Sequence, residues 1–109
     1  MHVKKIIHRD LKPANIFIMK DGTYKIGDLN ISKVLKNGLA KTQTGTPYYT
    51  SPEIWNSRSY GNKVDIWSLG CVLYEMATKR PPFLGNSVDE LRRKICMGGC
   101  PKIPSVYSA

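Results

Sequence analysis

Acidic residues are scarce in this 109-residue chain: 8 Asp and Glu stand against 17 Lys and Arg, a formal charge of +9. Such an excess suits an anionic partner such as nucleic acid or an anionic membrane. The cations are spread along the chain, with no dense block and no aromatics interleaved among them. Nucleic acid is therefore not expected as a ligand. Long apolar runs are absent too. None approaches the roughly 20 residues that span a bilayer, so no membrane contact is expected. Residues 1–10 are basic but hold only Ile6-Ile7 as an apolar pair, too little for the core of a secretory leader. Cysteine is limited to Cys71, Cys96 and Cys100, an odd number with no Cys-x-x-Cys pair. That excludes a disulfide framework and a four-ligand zinc site. The expectation is three reduced thiols in an intracellular, cytoplasmic protein.

What remains is the composition of one small globular domain, 41% hydrophobic and 23% charged, without repeats or low-complexity tracts. Ile16-Phe17-Ile18-Met19 and Tyr24-Lys25-Ile26 flank Lys20-Asp21-Gly22-Thr23, which predicts a β-hairpin. Residues 28–60 are polar, rich in Gly, Ser, Thr and Asn, and punctuated by Pro47 and Pro52, so a long functional loop is expected. Residues 62–78 give the strongest helix signal. Ile66, Leu69, Leu73 and Met76 recur at helical spacing, and few positions are polar. That pattern predicts a helix buried at the centre of the molecule, ended by Pro81-Pro82. Ser87 with Glu90 three residues on forms a capping-box pattern for a helix to about Met97, which Gly98-Gly99 stop. Residues 101–109 read as irregular.

The stretch His8-Arg9-Asp10-Leu11-Lys12-Pro13-Ala14-Asn15 resembles the catalytic loop of protein kinases. Seven positions coincide with it. At about 5% per residue type, a chance match is roughly one in a billion per starting point, which rules out an ordinary polar turn. Three further blocks follow in the order such kinases have. Asp28-Leu29-Asn30 stands where Asp-Phe-Gly is usual. Gly45-Thr46-Pro47-Tyr48-Tyr49-Thr50-Ser51-Pro52-Glu53 is similar to the end of an activation segment. Asp65-Ile66-Trp67-Ser68-Leu69-Gly70-Cys71-Val72-Leu73-Tyr74-Glu75-Met76 resembles the helix beneath the active site.

The resemblance implies roles. Phosphoryl transfer needs positioning and charge neutralisation more than covalent help. Asp10 would accept the proton of the acceptor hydroxyl, and Lys12 would contact the transferring γ-phosphate of ATP. Asn15 and Asp28 would hold magnesium. Lys at position 12 is the serine/threonine-kinase form, so the partners implied are protein substrates with Ser or Thr acceptors. His8 would support the loop, Asp65 would hydrogen-bond the loop backbone from below, and Glu53 would be structural. Leu29 and Asn30 replace an aromatic and a glycine; Asn is the next most tolerant of positive φ.

Regulation is implied as well. Thr46 would bridge Asp10 and Lys12. Thr42 or Thr44 would carry an activating phosphate, and Arg9 would pair with it. The blocks around Lys25-Ile26-Gly27-Asp28 and Thr42-Gln43-Thr44-Gly45 are similar to the NIMA-related (Nek) family.

The fold implied is α+β, a protein-kinase-like C-terminal lobe, mainly α-helical with a small β-hairpin, with residues 1–109 forming a partial domain. No glycine-rich phosphate loop and no lysine strand precede residue 8, and the arginine that usually pairs with Glu53 is missing. A fragment inactive by itself is therefore expected. A non-catalytic, kinase-derived binding module is the alternative.

Overall fold

Gly22 reverses the chain. Its φ of 83° is left-handed, which glycine adopts without steric cost. The turn joins β2 (Ile16–Ile18) to β3 (Tyr24–Ile26), paired antiparallel with Ile16 opposite Ile26 and Ile18 opposite Tyr24. Asp21 fastens the turn by accepting from Thr23 N–H at 3.0 Å and from its hydroxyl at 2.7 Å. The hairpin thus lies where the sequence predicts it. The computed structural model describes residues 1–28, 33–34 and 47–107, with backbone alone at 33–34. A second sheet pairs β1 (Ile6–Ile7) with β4 (Lys33–Val34), Ile6 opposite Val34.

The polar stretch 28–60 is less irregular than expected. It contains β4, and it contains one helical turn, α1 (Pro52–Trp55), opened by Ser51 in extended geometry with Pro52 at the first position. Pro is well placed there because its missing N–H has no partner to lose. The tail also carries a short 3₁₀ turn at Ser105–Tyr107.

Two longer helices follow. α2 runs Lys63–Thr78, and Lys79 in a left-handed conformation closes it before Pro81-Pro82. α3 runs Val88–Met97, capped by Ser87 Oγ accepting from Glu90 N–H at 3.2 Å, while Glu90 accepts from Asn86 N–H at 2.9 Å. Gly98, with φ 78°, ends it. α3 turns Leu91 and Ile95 inward, four apart on one face, onto Cys71 and Phe83. Ile95 has no exposed surface; truncating it to alanine would cost about 2–5 kcal/mol. Tyr48, Tyr49, Trp55 and Trp67 pack around this cluster, and Trp67 stacks on Phe83 with centroids 5.8 Å apart.

α2 does not face the way its apolar pattern predicts. Val64, Asp65, Ser68, Cys71 and Val72 are the buried positions. Ile66, Leu69, Leu73 and Met76, expected at the centre of the core, are 53%, 39%, 56% and 64% exposed. The polar residues point inward because each has a bonding partner there, as set out below. Burying a polar group is tolerable only on that condition. The apolar stripe is left on the outer face.

Candidate active site

α2 begins with a buried carboxylate. Asp65, 3% exposed, accepts from His8 N–H at 2.9 Å and from Arg9 N–H at 2.8 Å, and pairs with His2 Nε2 at 2.7 Å. Its place in the first turn also favours negative charge through the helix dipole. The two bonded amides belong to the loop that follows β1. Arg9 there takes a left-handed φ of 74°. A non-glycine residue in that region costs about 1–3 kcal/mol, and such strain gathers at functional sites. The Asp65 bond to Arg9 N–H helps hold it.

Beyond Arg9 the loop braces itself. His8, 1% exposed, accepts from Asp10 N–H at Nδ1 over 3.2 Å, so its Nε2 is the donor to Gly27 O at 2.9 Å. Asn15 is buried at the end of a 3₁₀ turn, Pro13–Asn15. Its Nδ2 donates to Asp10 O at 2.8 Å and to Asp10 Oδ2 at 3.2 Å. Lys12 Nζ lies 3.1 Å from the same Oδ2. Asp10 is therefore held on one oxygen by an amide and an ammonium. Among the described residues, neither contact uses its Oδ1.

The hairpin brings a further carboxylate. Gly27 N–H donates to Asn15 O at 2.9 Å, and Gly27 O accepts from His8. The next residue, Asp28, is thus anchored through its neighbour to both His8 and Asn15. It is exposed, with a left-handed φ of 58°. The Phe17 ring lies against Gly27 so closely that a Cβ there would sit 2.5 Å from Cε2.

A third piece meets the same helix. Tyr49 O accepts from Ser68 Oγ at 2.8 Å, and Tyr49 OH donates to Glu75 at 2.5 Å. Burial, and then the Glu75 carboxylate, push the Tyr49 hydroxyl well above its ordinary range. α2 therefore fixes residues 8–9 through Asp65 and Tyr49 through Ser68 and Glu75. Ser51 is fully buried, and Glu53 sits half-buried in the first turn of α1. The Arg9 guanidinium lies 5.7 Å from the centre of the Tyr60 ring, a cation–π contact.

Asp10, Lys12 and Asn15 are thus brought into direct contact, with His8 and Asp65 behind them. Thr42, Thr44 and Thr46 lie outside the described residues, as do Leu29 and Asn30. The roles of His2, Tyr49, Ser68, Glu75 and Tyr60 were not read from the sequence. A signal existed for two of them: Ser68 and Glu75 share a helix face with Asp65 and interrupt an otherwise apolar run.

Residues 1–107 match the protein kinase domain family. The chain belongs to the protein kinase family. This kinase sequence is 54% identical over 99 residues to human serine/threonine-protein kinase Nek5, covering 88% of the chain and 14% of that protein. It is 44% identical over 110 residues to mouse serine/threonine-protein kinase Nek3, covering 99% of the chain and 22% of that protein. It is 47% identical over 104 residues to the G2-specific protein kinase nim-1 of Neurospora crassa, covering 94% of the chain and 12% of that protein. The NIMA-related resemblance is borne out by these relatives. The kinase chain spans less than a quarter of the length of each.

Proposed function

We propose that this chain is the C-terminal-lobe part of a serine/threonine protein kinase domain that transfers the γ-phosphate of ATP to Ser or Thr hydroxyls of proteins. The observation that carries the reading is the brace on Asp10. Its Oδ2 is held by Asn15 Nδ2 at 3.2 Å and Lys12 Nζ at 3.1 Å. Among the described residues that leaves Oδ1 to accept from an acceptor hydroxyl and orient it for attack. In this reading Lys12, 3.1 Å from Asp10, balances charge on the incoming phosphoryl group.

Asn15 and Asp28 suit a hard cation. Asn15 uses its Nδ2 on Asp10, so its carbonyl oxygen remains a donor atom, and Asp28 adds an exposed carboxylate. Bound magnesium would neutralise phosphate charge there. Among the described residues no group of three or more His, Cys, Asp or Glu is arranged to hold a metal. In this reading the two protein oxygens would share the ion with substrate phosphates.

The apolar outer face of α2 supports the reading of a partial domain. Four large side chains, each 39–64% exposed, form one stripe that further chain would cover. In this reading Thr42 or Thr44 receives an activating phosphate, which mass spectrometry of an active, longer chain would detect. In the same reading Arg9, next to Asp10 in the chain, pairs with that phosphate.

The test is nucleotide binding in a longer chain with a complete kinase domain. Asp28→Ala is expected to abolish the magnesium-dependent part of ATP binding and leave the fold intact. Unchanged magnesium dependence would overturn the assignment of Asp28.

A further inference from the structure

At its C-terminal end α2 runs into Pro81-Pro82-Phe83, and α3 ends beside the same segment. Together they wall a groove of about 670 Å³, within the ~300–1,000 Å³ of ordinary ligand sites. Its surface is largely apolar, with Tyr74, Pro82, Phe83 and Met97 among the lining. Phe83 stacks nearly parallel on Trp67, 9° between planes, which fixes one part of that surface from behind. The walls are tied to each other. Lys94 Nζ reaches from α3 to donate to Leu84 O at 2.7 Å. Thr78 Oγ1 holds the backbone of Arg80, donating to its carbonyl at 2.8 Å. A groove held in this way needs little ordering when it is filled, which lowers the entropy cost of binding.

Its charge is one-sided. Arg80 and Lys94 line it, and no Asp or Glu does. Lys94 is balanced by Glu90 at 2.8 Å. The ion pairs among the described residues involve His2, Lys12 and Lys94, so none offsets the exposed Arg80. Lys79, the neighbouring residue at the end of α2, is exposed as well.

We propose that this groove docks an acidic peptide segment that inserts one bulky apolar side chain. The apolar lining takes the side chain, and Arg80 meets the flanking carboxylates. Charge complementarity selects this occupant. A second copy of the +9 chain would bring like charge to the rim. A nucleic-acid strand calls for a line of cations with aromatic faces between them, whereas here one unbalanced guanidinium stands beside prolines. Met97, 80% exposed, supplies a soft lip that adapts to the inserted group. The groove uses none of residues 8–15, so this inference stands apart from phosphoryl transfer.

Fluorescence anisotropy of a labelled Glu-Glu-Phe-Glu-Glu peptide with the 109-residue chain tests it. Saturable binding is expected, weakened by Arg80→Glu about tenfold, equivalent to about 1.4 kcal/mol. Met97→Glu, at a side chain too exposed to unfold the chain, is expected to weaken it likewise, and both variants should keep the parent circular dichroism. Replacing the peptide's Phe with Ser, or its Glu residues with Lys, is expected to abolish binding. No binding by the parent, equal binding by both variants, or equal binding of the Lys peptide would each overturn the proposal. So would tighter binding of a single-stranded oligonucleotide of the same charge that is lost in Arg80→Glu, since the groove would then serve a polyanion.

Discussion

Replacing Asp65 with alanine removes three bonds at once: those from His8 N–H at 2.9 Å, Arg9 N–H at 2.8 Å and His2 Nε2 at 2.7 Å. The His2 ring is half-buried and regains water, so its loss contributes little. The two backbone amides are different. His8 is 1% exposed, and its N–H would be left in the interior without an acceptor. Each orphaned donor costs about 1–3 kcal/mol, so the pair costs about 2–6 kcal/mol. A domain of this size has about 5–15 kcal/mol in total. At about 4 °C per kcal/mol for roughly 100 residues, the melting temperature should fall by about 8–24 °C. Asp65→Asn keeps one carbonyl oxygen and should lose about half as much. Thermal unfolding followed by circular dichroism measures the change, and amide hydrogen exchange at His8 and Arg9 localises it. Should Asp65→Ala melt within about 2 °C of the parent, with both amides still protected, the reasoning is wrong.

Burial pushes the Cys71 thiol up to about 11, with Cys100 adding to the shift, whereas Cys96 and Cys100 are exposed. Iodoacetamide at pH 8 should therefore alkylate Cys96 and Cys100 quickly and Cys71 only after unfolding; peptide mapping that finds Cys71 labelled first would contradict this. Tyr49→Phe should cost about 1–3 kcal/mol by denaturant titration, because Glu75 loses its 2.5 Å donor. In the parent, the Tyr49 hydroxyl is raised above its ordinary 10.0 in the folded state. Its contribution is thus complete below about pH 10 and lost as pH rises through the folded value. The destabilisation by Tyr49→Phe should accordingly shrink above pH 10, and growth there would refute the sign.

Local signals carried the elements that local chemistry specifies. The hairpin at 16–26 was legible because β-rich runs flank a glycine turn, and α3 because Ser87, Glu90 and Gly98 mark both of its ends. α2 was legible in extent but not in orientation. Ile66, Leu69, Leu73 and Met76 suggest a core face, yet the inward side holds Asp65, Ser68 and Glu75, each bonded to a segment distant in sequence. Periodicity reports which residues are apolar; it does not report which polar ones find partners. The β1–β4 pairing joins Ile6 to Val34 and Ile7 to Lys33, two-residue strands too short and too remote in sequence for any alternation to appear. α1 was hidden in a stretch of turn-forming residues, where only Pro52 at its first position hinted at a start. The contacts of Asp10 with Lys12 and Asn15 fit the spacing of one loop, whereas the clamp from Tyr49 to Glu75 depends on tertiary packing. Thr42, Thr44 and Thr46 fall outside the described residues.

Asp10, braced through one carboxylate oxygen, is proposed to orient the acceptor hydroxyl and not to bind nucleotide. The direct measurement is transfer of labelled γ-phosphate to a Ser/Thr peptide by a longer chain with a complete kinase domain, alongside ATP affinity, for the parent and Asp10→Asn. Unchanged ATP affinity and a loss of transfer of at least about 100-fold are expected, the scale of a positioned acid–base group. Transfer at the parental rate in Asp10→Asn, or loss of ATP binding with transfer competence retained, would contradict it.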